Sequence, residues 1–198
     1  MPSIKNRAQF LEPDPTNKLF PALTLDKHYE IVSEHCALRD GVPENVRNYF
    51  NTVVTLYLYG WLYYPFFTMA GFLSTFVVEM ALRVRFPPKK LSKKGLDLRY
   101  IGTLLSEAKQ AGLLRDEDFP SLKNHKAHSA ELNRALGLPA ASEAEEPYAD
   151  RLIRWLPKVR NDFAHAKMES ILPPGMTLTP LIQAAEIINQ LWPNPKTP

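Results

Sequence analysis

From Val53 to Val78 the chain runs for 26 residues without a charged side chain. A stretch that long either crosses a bilayer, for which about 20 apolar residues suffice, or is buried inside a protein. Gly60, Pro65 and Gly71 interrupt it, and Tyr57, Tyr59, Tyr63 and Tyr64 place hydroxyls along it. No second span of this kind follows, so a small membrane-associated protein built on Val53–Val78 is the weaker reading. The pattern predicts two buried helices joined near Trp61-Leu62-Tyr63-Tyr64-Pro65, with no membrane span.

Around that core the sequence predicts further helices and no strand alternation. Leu25, Tyr29, Val32 and Cys36 recur at helical spacing from Leu25 to Leu38, closed by Asp40-Gly41. His28 and His35 share a face of this helix, but no third ligand is near and both read as solvated. The second apolar helix continues through Phe72, Phe76, Met80 and Val84. It carries Glu79 and Arg83 four apart with the acid first, the favoured order for a helical ion pair. Glu79 emerges from an apolar face, so its carboxylate reads either as half of a rim pair or as part of an interior polar site, because a buried unpaired carboxylate is costly.

Arg83 to Arg99 holds seven basic residues and one acid around Pro87-Pro88 and reads as a connector. In a protein that handles RNA, Lys89, Lys90, Lys93 and Lys94 would be its phosphate contacts. Asp97 is an expected N-cap for a helix through Leu98, Ile101, Leu104, Leu105 and Ala108, closed by Gly112. Asp116 to Leu136 reads as a more polar helix bearing His125 and His128, and 140–147 as a loop. A last helix is expected from Thr179 to Trp192, with Thr179 as cap and Pro180 in its first turn.

The bulk numbers narrow the class. At 198 residues and 45% apolar, the chain suffices for one domain. The division expected is an extended segment over 1–24, an all-helical domain over 25–192 and a tail over 193–198. A net charge of +3 is too small for bulk electrostatic binding to nucleic acid, so any such contact must be local. Cys36 is the single cysteine, which excludes an internal disulfide and fits a reducing, cytoplasmic compartment. The first twenty residues lack the apolar segment of a secretory signal.

The functional candidates fall on one helix, Arg151 to Met168. On a helical wheel Leu152, Trp155, Leu156, Val159, Phe163 and Ala166 share a sector, the expected core face. Opposite lie Arg151, Arg154, Lys158, Asn161 and His165, with Asn161 and His165 four apart. Arg160 falls outside both sectors, about 140° from His165. One straight helix therefore does not aim Arg160 and His165 at the same atom. A two-fold dimer would bring groups from both copies together, and Pro157 is expected to kink the helix or to start a new one before the motif. Arginine offers a fixed fork to phosphate, histidine is an acid or base near neutral pH, and asparagine orients either partner. With no carboxylate cluster for a metal and no glycine-rich phosphate loop, that set suffices for metal-free cleavage of RNA by its own 2′-hydroxyl; from spacing alone, a surface arginine and histidine in local ion pairs is the stronger reading.

The pattern Arg160-Asn161-x-x-x-His165 resembles the signature of HEPN domains, all-helical proteins found among bacterial toxins, abortive-infection effectors and CRISPR-associated nucleases. The turn Tyr59-Gly60-Trp61 to Pro65, the helix from Phe76 to Arg83 and the closing Glu186-Ile187-Ile188-Asn189-Gln190-Leu191 are similar to stretches of bacterial HEPN-like proteins. The resemblance spans roughly Pro43 to Trp192 and leaves the N-terminal forty residues uncovered. It implies a bundle of four to five core helices and a homodimer with the motifs facing across the interface. It also implies metal-independent endoribonuclease activity in stress response or phage defence, without a cofactor and with an antitoxin or regulatory protein as partner. Arg160, Asn161 and His165 would be catalytic, Glu79 a supporting acid, and Arg154 and Lys158 further phosphate contacts. The alternative implied is a noncatalytic dimeric module that binds a nucleotide, RNA or a partner protein.

Overall fold

The computed structural model describes residues 5–88, 99–124, 127, 131, 146–164 and 172–193. Among them all regular structure is helical. The helices are α1 (Leu25–His35), α2 (Glu44–Tyr59), α3 (Pro65–Arg85), α4 (Ile101–Gln110), α5 (Tyr148–Ala164) and α6 (Pro174–Leu191). Another helical stretch begins at Pro120, and short 3-10 turns cover Arg7–Gln9, Pro15–Leu19 and Asp116–Asp118. The expected Asp97 cap, His125, His128, most of the loop over 140–147, the motif helix beyond Ala164 and the tail from 194 lie outside the described residues.

The long apolar run folds as two helices, broken between Tyr59 and Pro65. A Cβ on Gly60 would stand 2.6 Å from the Phe67 ring, so the turn closes tightly only with glycine there. α3 alone among the described helices is long and apolar enough to cross a membrane, and half of its most apolar window is buried inside the bundle. It is the central helix, packed along α2 on one side and α6 on the other. At Gly71 a Cβ would meet the Thr177 Cβ at 3.2 Å, which marks a close approach of α3 to α6. α4 and α5 form a second layer against each other and against α3. One buried cluster, from Val32 to Leu191, joins residues of all six helices, with Phe50, Tyr57, Phe67, Leu104, Leu105, Leu181 and Ile188 at its centre.

Several boundaries differ from the sequence expectation. α1 stops at His35, and α4 starts at Ile101 behind Tyr100. Gly112 still ends α4 with φ 69°, the left-handed turn a glycine permits. Asp116–Asp118 is a single 3-10 turn, and Phe119, fully buried, separates it from the helix after Pro120. α6 begins at Pro174, and Pro180 lies inside it. Pro180 leaves one carbonyl of the first turns without its backbone donor, and hydroxyls crowd the same turns, with Thr177 Oγ1 donating to the Pro174 carbonyl at 2.9 Å. Burial of Thr177 and Leu181 against α3 holds the helix together there.

The N-terminal segment is not merely extended. Asp14 accepts from the backbone N–H of Tyr64 at 3.0 Å and of Thr16 at 2.9 Å, and so supplies from a distance the cap that α3 lacks locally. Partial burial pushes the Asp14 carboxyl up, but these N–H donors outweigh it and leave its pKa below the usual range. Asn17 Nδ2 donates to the Trp61 carbonyl at 2.7 Å, which ties the segment across the α2–α3 turn.

His28 also departs from the expectation of a solvated side chain, being only 2% exposed. It shares a 2.9 Å hydrogen bond with the Tyr57 hydroxyl and packs among the rings of Tyr57, Trp61 and Phe67. Burial holds its pKa down, so it is a neutral core imidazole. His35, half-buried, faces Glu34 at 3.7 Å. Tyr29, placed on the core stripe by spacing, is exposed, and His28 takes the inward position instead.

Candidate functional site

α5 carries Arg160 and α3 carries Glu79, and the contact between these two helices brings them together. Arg160 Nε lies 3.3 Å from Glu79 Oε2, close enough for charge pairing but without hydrogen-bond alignment. The guanidinium sits 5.0 Å over the Phe76 ring, one turn before Glu79 on α3. Its Nη1 donates to Asn161 Oδ1 at 3.3 Å. Arg160 is 31% exposed and Glu79 13%. The arginine is thus held against the core with part of its fork open to solvent.

Glu79 faces a second cation. Arg83 Nη2 donates to Glu79 Oε1 at 2.7 Å and to the Arg99 carbonyl at 2.8 Å. The helical pair expected from spacing is present, and its carboxylate also reaches across to α5. Arg99 extends the network by donating to Glu107 Oε2 on α4 at 2.6 Å. Two guanidiniums thus meet one carboxylate, and about a third of each arginine side chain stays exposed.

α5 is continuous through Pro157, so that residue neither ends it nor starts a second helix. Its buried face is Ala149, Leu152 and Leu156, with Tyr148 at the edge. Trp155, expected in the core sector, is 41% exposed. The buried arc is centred on Leu152, and Trp155 stands at its border. Arg154, Lys158 and Asn161 are exposed, and Arg154 pairs with Glu146. Of the other candidates, His165, Lys89, Lys90, Lys93 and Lys94 lie outside the described residues. The structure therefore joins Arg160, Asn161 and Glu79 and leaves the histidine's place undescribed.

Comparison with protein-family models, with curated proteins and with solved structures gave no match. The chemistry of the site rests on its own geometry. Among the described residues, no three His, Cys, Asp or Glu side chains group so that they could hold a metal ion.

A second polar cluster lies in the α6 core, where periodicity gave no hint of one. Glu186, 8% exposed, accepts from the Ser121 N–H at 2.7 Å and from its hydroxyl at 2.6 Å. Burial nevertheless pushes its pKa up, against these hydrogen bonds. Nearby, Gln183 Nε2 donates to the Tyr148 hydroxyl at 2.7 Å. Burial likewise raises the Tyr148 phenol and pushes the Cys36 thiol up to about 12, with the Glu186 charge adding to each. A glutamate between Ala185 and Ile187 is the sequence signal that could have found this cluster. Pro120-Ser121 marks the helix start that it caps.

Proposed function

We propose that the chain is a metal-independent endoribonuclease of the HEPN type, acting in stress response or phage defence as a cytoplasmic homodimer, with a restraining partner such as an antitoxin. The observation that carries this reading is the seating of Arg160. An ordinary surface arginine swings freely, but this one is pinned by Glu79 and Phe76 beside Asn161, with part of its fork open. A cation so restrained pays less entropy when it meets a phosphate.

In the reaction proposed, the RNA 2′-hydroxyl attacks the adjacent phosphorus as its proton passes to a base. The bond from phosphorus to the 5′-oxygen breaks, and that oxygen takes up a proton. The products are a 2′,3′-cyclic phosphate and a free 5′-hydroxyl. His165 is assigned the proton transfers, Arg160 the charge on the phosphoryl oxygens, and Asn161 the orientation of either group. Glu79 acts on Arg160 and is a positioning residue. On a regular helix positions 160 and 165 differ by about 140°, so in this proposal a phosphate meets Arg160 of one copy and His165 of the other.

Mixed RNA incubated with the purified protein in EDTA tests this against His165→Ala and Arg160→Ala. Each substitution should lower the cleavage rate by roughly 10²–10⁴-fold. Cleavage that survives both substitutions, or that persists in a protein shown to be monomeric by sedimentation, would overturn the proposal. A second reading, a noncatalytic module that binds a nucleotide, RNA or a partner protein, draws support from the ion pair itself: Arg160 already has a carboxylate partner. Absence of cleavage with intact RNA binding would favour it.

A further inference from the structure

The exposed face of α5 bears more than the cleavage chemistry uses. At about 100° per residue, Pro157, Asn161, Arg154, Lys158 and Trp155 follow one another around an arc of about 160°. Trp155 closes one side of this arc and is 41% exposed. Tyr100, the residue before α4, borders the other. Its ring edge lies 2.8 Å from where a Gly102 Cβ would stand and the Pro157 ring 3.2 Å from that point, so the two rings both flank Gly102. Tyr100 is 68% exposed. Single exposed apolar side chains are ordinary, but here two aromatic rings bracket a strip of cations and amide.

The strip has the charge for a polyanion. Lys158 has no ion-pair partner among the described residues. Among the described residues Arg154 is held only by an exposed pair with Glu146, the kind of contact that exchanges readily for phosphate. Two half-buried acids lie within the same arc, Asp162 between Lys158 and Trp155 and Asp150, paired with Lys109, between Pro157 and Asn161, and half-buried Arg151 adds a cation beside Asp162. We infer that Tyr100 and Trp155 are stacking platforms for unpaired bases, and that the backbone of a single-stranded RNA runs between them over Arg154, Lys158 and Asn161. Every base has a face on which an aromatic ring can stack, so this device selects single strands without selecting sequence. It delivers the strand to the side of α5 that bears Asn161. The inference takes its ligand class from the endoribonuclease reading and deepens it.

Its test is binding, measured in EDTA by fluorescence anisotropy of a labelled short single-stranded RNA of mixed sequence, in the His165→Ala background so that the probe survives. Trp155→Leu and Tyr100→Leu should each weaken binding roughly tenfold, while Trp155→Phe should stay within a few-fold of the parent. Both leucine variants should bind the matching RNA duplex as the parent does, because its bases are already stacked. Thermal unfolding of each variant, with the rings exposed, should be unchanged. Unaltered single-strand affinity in both leucine variants overturns the inference, as does equal loss for duplex. Loss of the dimer with RNA affinity retained overturns it too, since the rings would then be an interface between copies. RNA cleavage by the wild type with normal binding in both variants defeats this inference alone. Ring-dependent binding without any cleavage defeats the endoribonuclease reading alone.

Discussion

Glu79 and Glu186 sit on neighbouring core helices, α3 and α6, with most of each side chain out of water, yet one is surrounded by guanidiniums and the other by the neutral donors of Ser121. Glu186 closes a helix start from a distance, and burial leaves its carboxylate reluctant to ionise. Glu79 ties Arg83 and Arg160 to the bundle, and those cations remain about one-third exposed. A buried acid matched by neutral donors serves the frame. One matched by guanidiniums at the rim fixes the position of those cations. The difference lies in the partners, since both are glutamates on apolar helices.

The largest stability effect should come from Glu186→Ala. It leaves the Ser121 N–H and hydroxyl without an acceptor in the core and should cost about 2–3 kcal/mol, read as a fall in urea midpoint with an unchanged m-value. Glu79→Ala should cost less, about 1 kcal/mol, because Arg83 and Arg160 are partly solvated already and Arg83 keeps the Arg99 carbonyl. On RNA cleavage the order should reverse, with Glu79→Ala lowering the rate and Glu186→Ala leaving it near wild type in whatever fraction is folded. Equal effects of the two substitutions on both measurements would erase the distinction between a frame carboxylate and a site carboxylate.

What the sequence made legible follows the same line. The two helices of the apolar run were readable because Gly60 and Pro65 break a pattern that allows nothing but burial, and the Glu79–Arg83 pair was readable because both partners lie on one helix. The reach of Glu79 to Arg160 was not, since it depends on how α3 and α5 are packed. The face of α5 was read correctly at Leu152 and Leu156 but wrongly at Trp155, because a wheel gives angles and not the edge of the neighbour that covers them. His28 was misread for the converse reason: a histidine counts as polar by composition, while Tyr57 offers it a hydrogen bond inside an aromatic shell. Pro157 was treated as a breaker and Pro180 as a first-turn residue because the local cost of proline is evident in sequence, and the tertiary burial that offsets it is not.

The smallest effect sharpens the comparison by pH. The folded-state pKa of Glu186 is raised, so the folded protein holds this proton more tightly than the unfolded chain does. The stability this contributes is therefore fully present below the ordinary carboxyl value of 4.5 and is lost as pH rises through the raised folded value. Glu186→Gln keeps an acceptor for the Ser121 N–H and never ionises. Relative to wild type, the glutamine variant should therefore gain stability between mildly acidic and neutral pH, at no more than about 1.4 kcal/mol per pH unit. Urea titrations of both proteins across that range test the sign. If the gap between them stays flat, Glu186 carries no net burden from its burial, and the contrast with Glu79 reduces to one of partners alone.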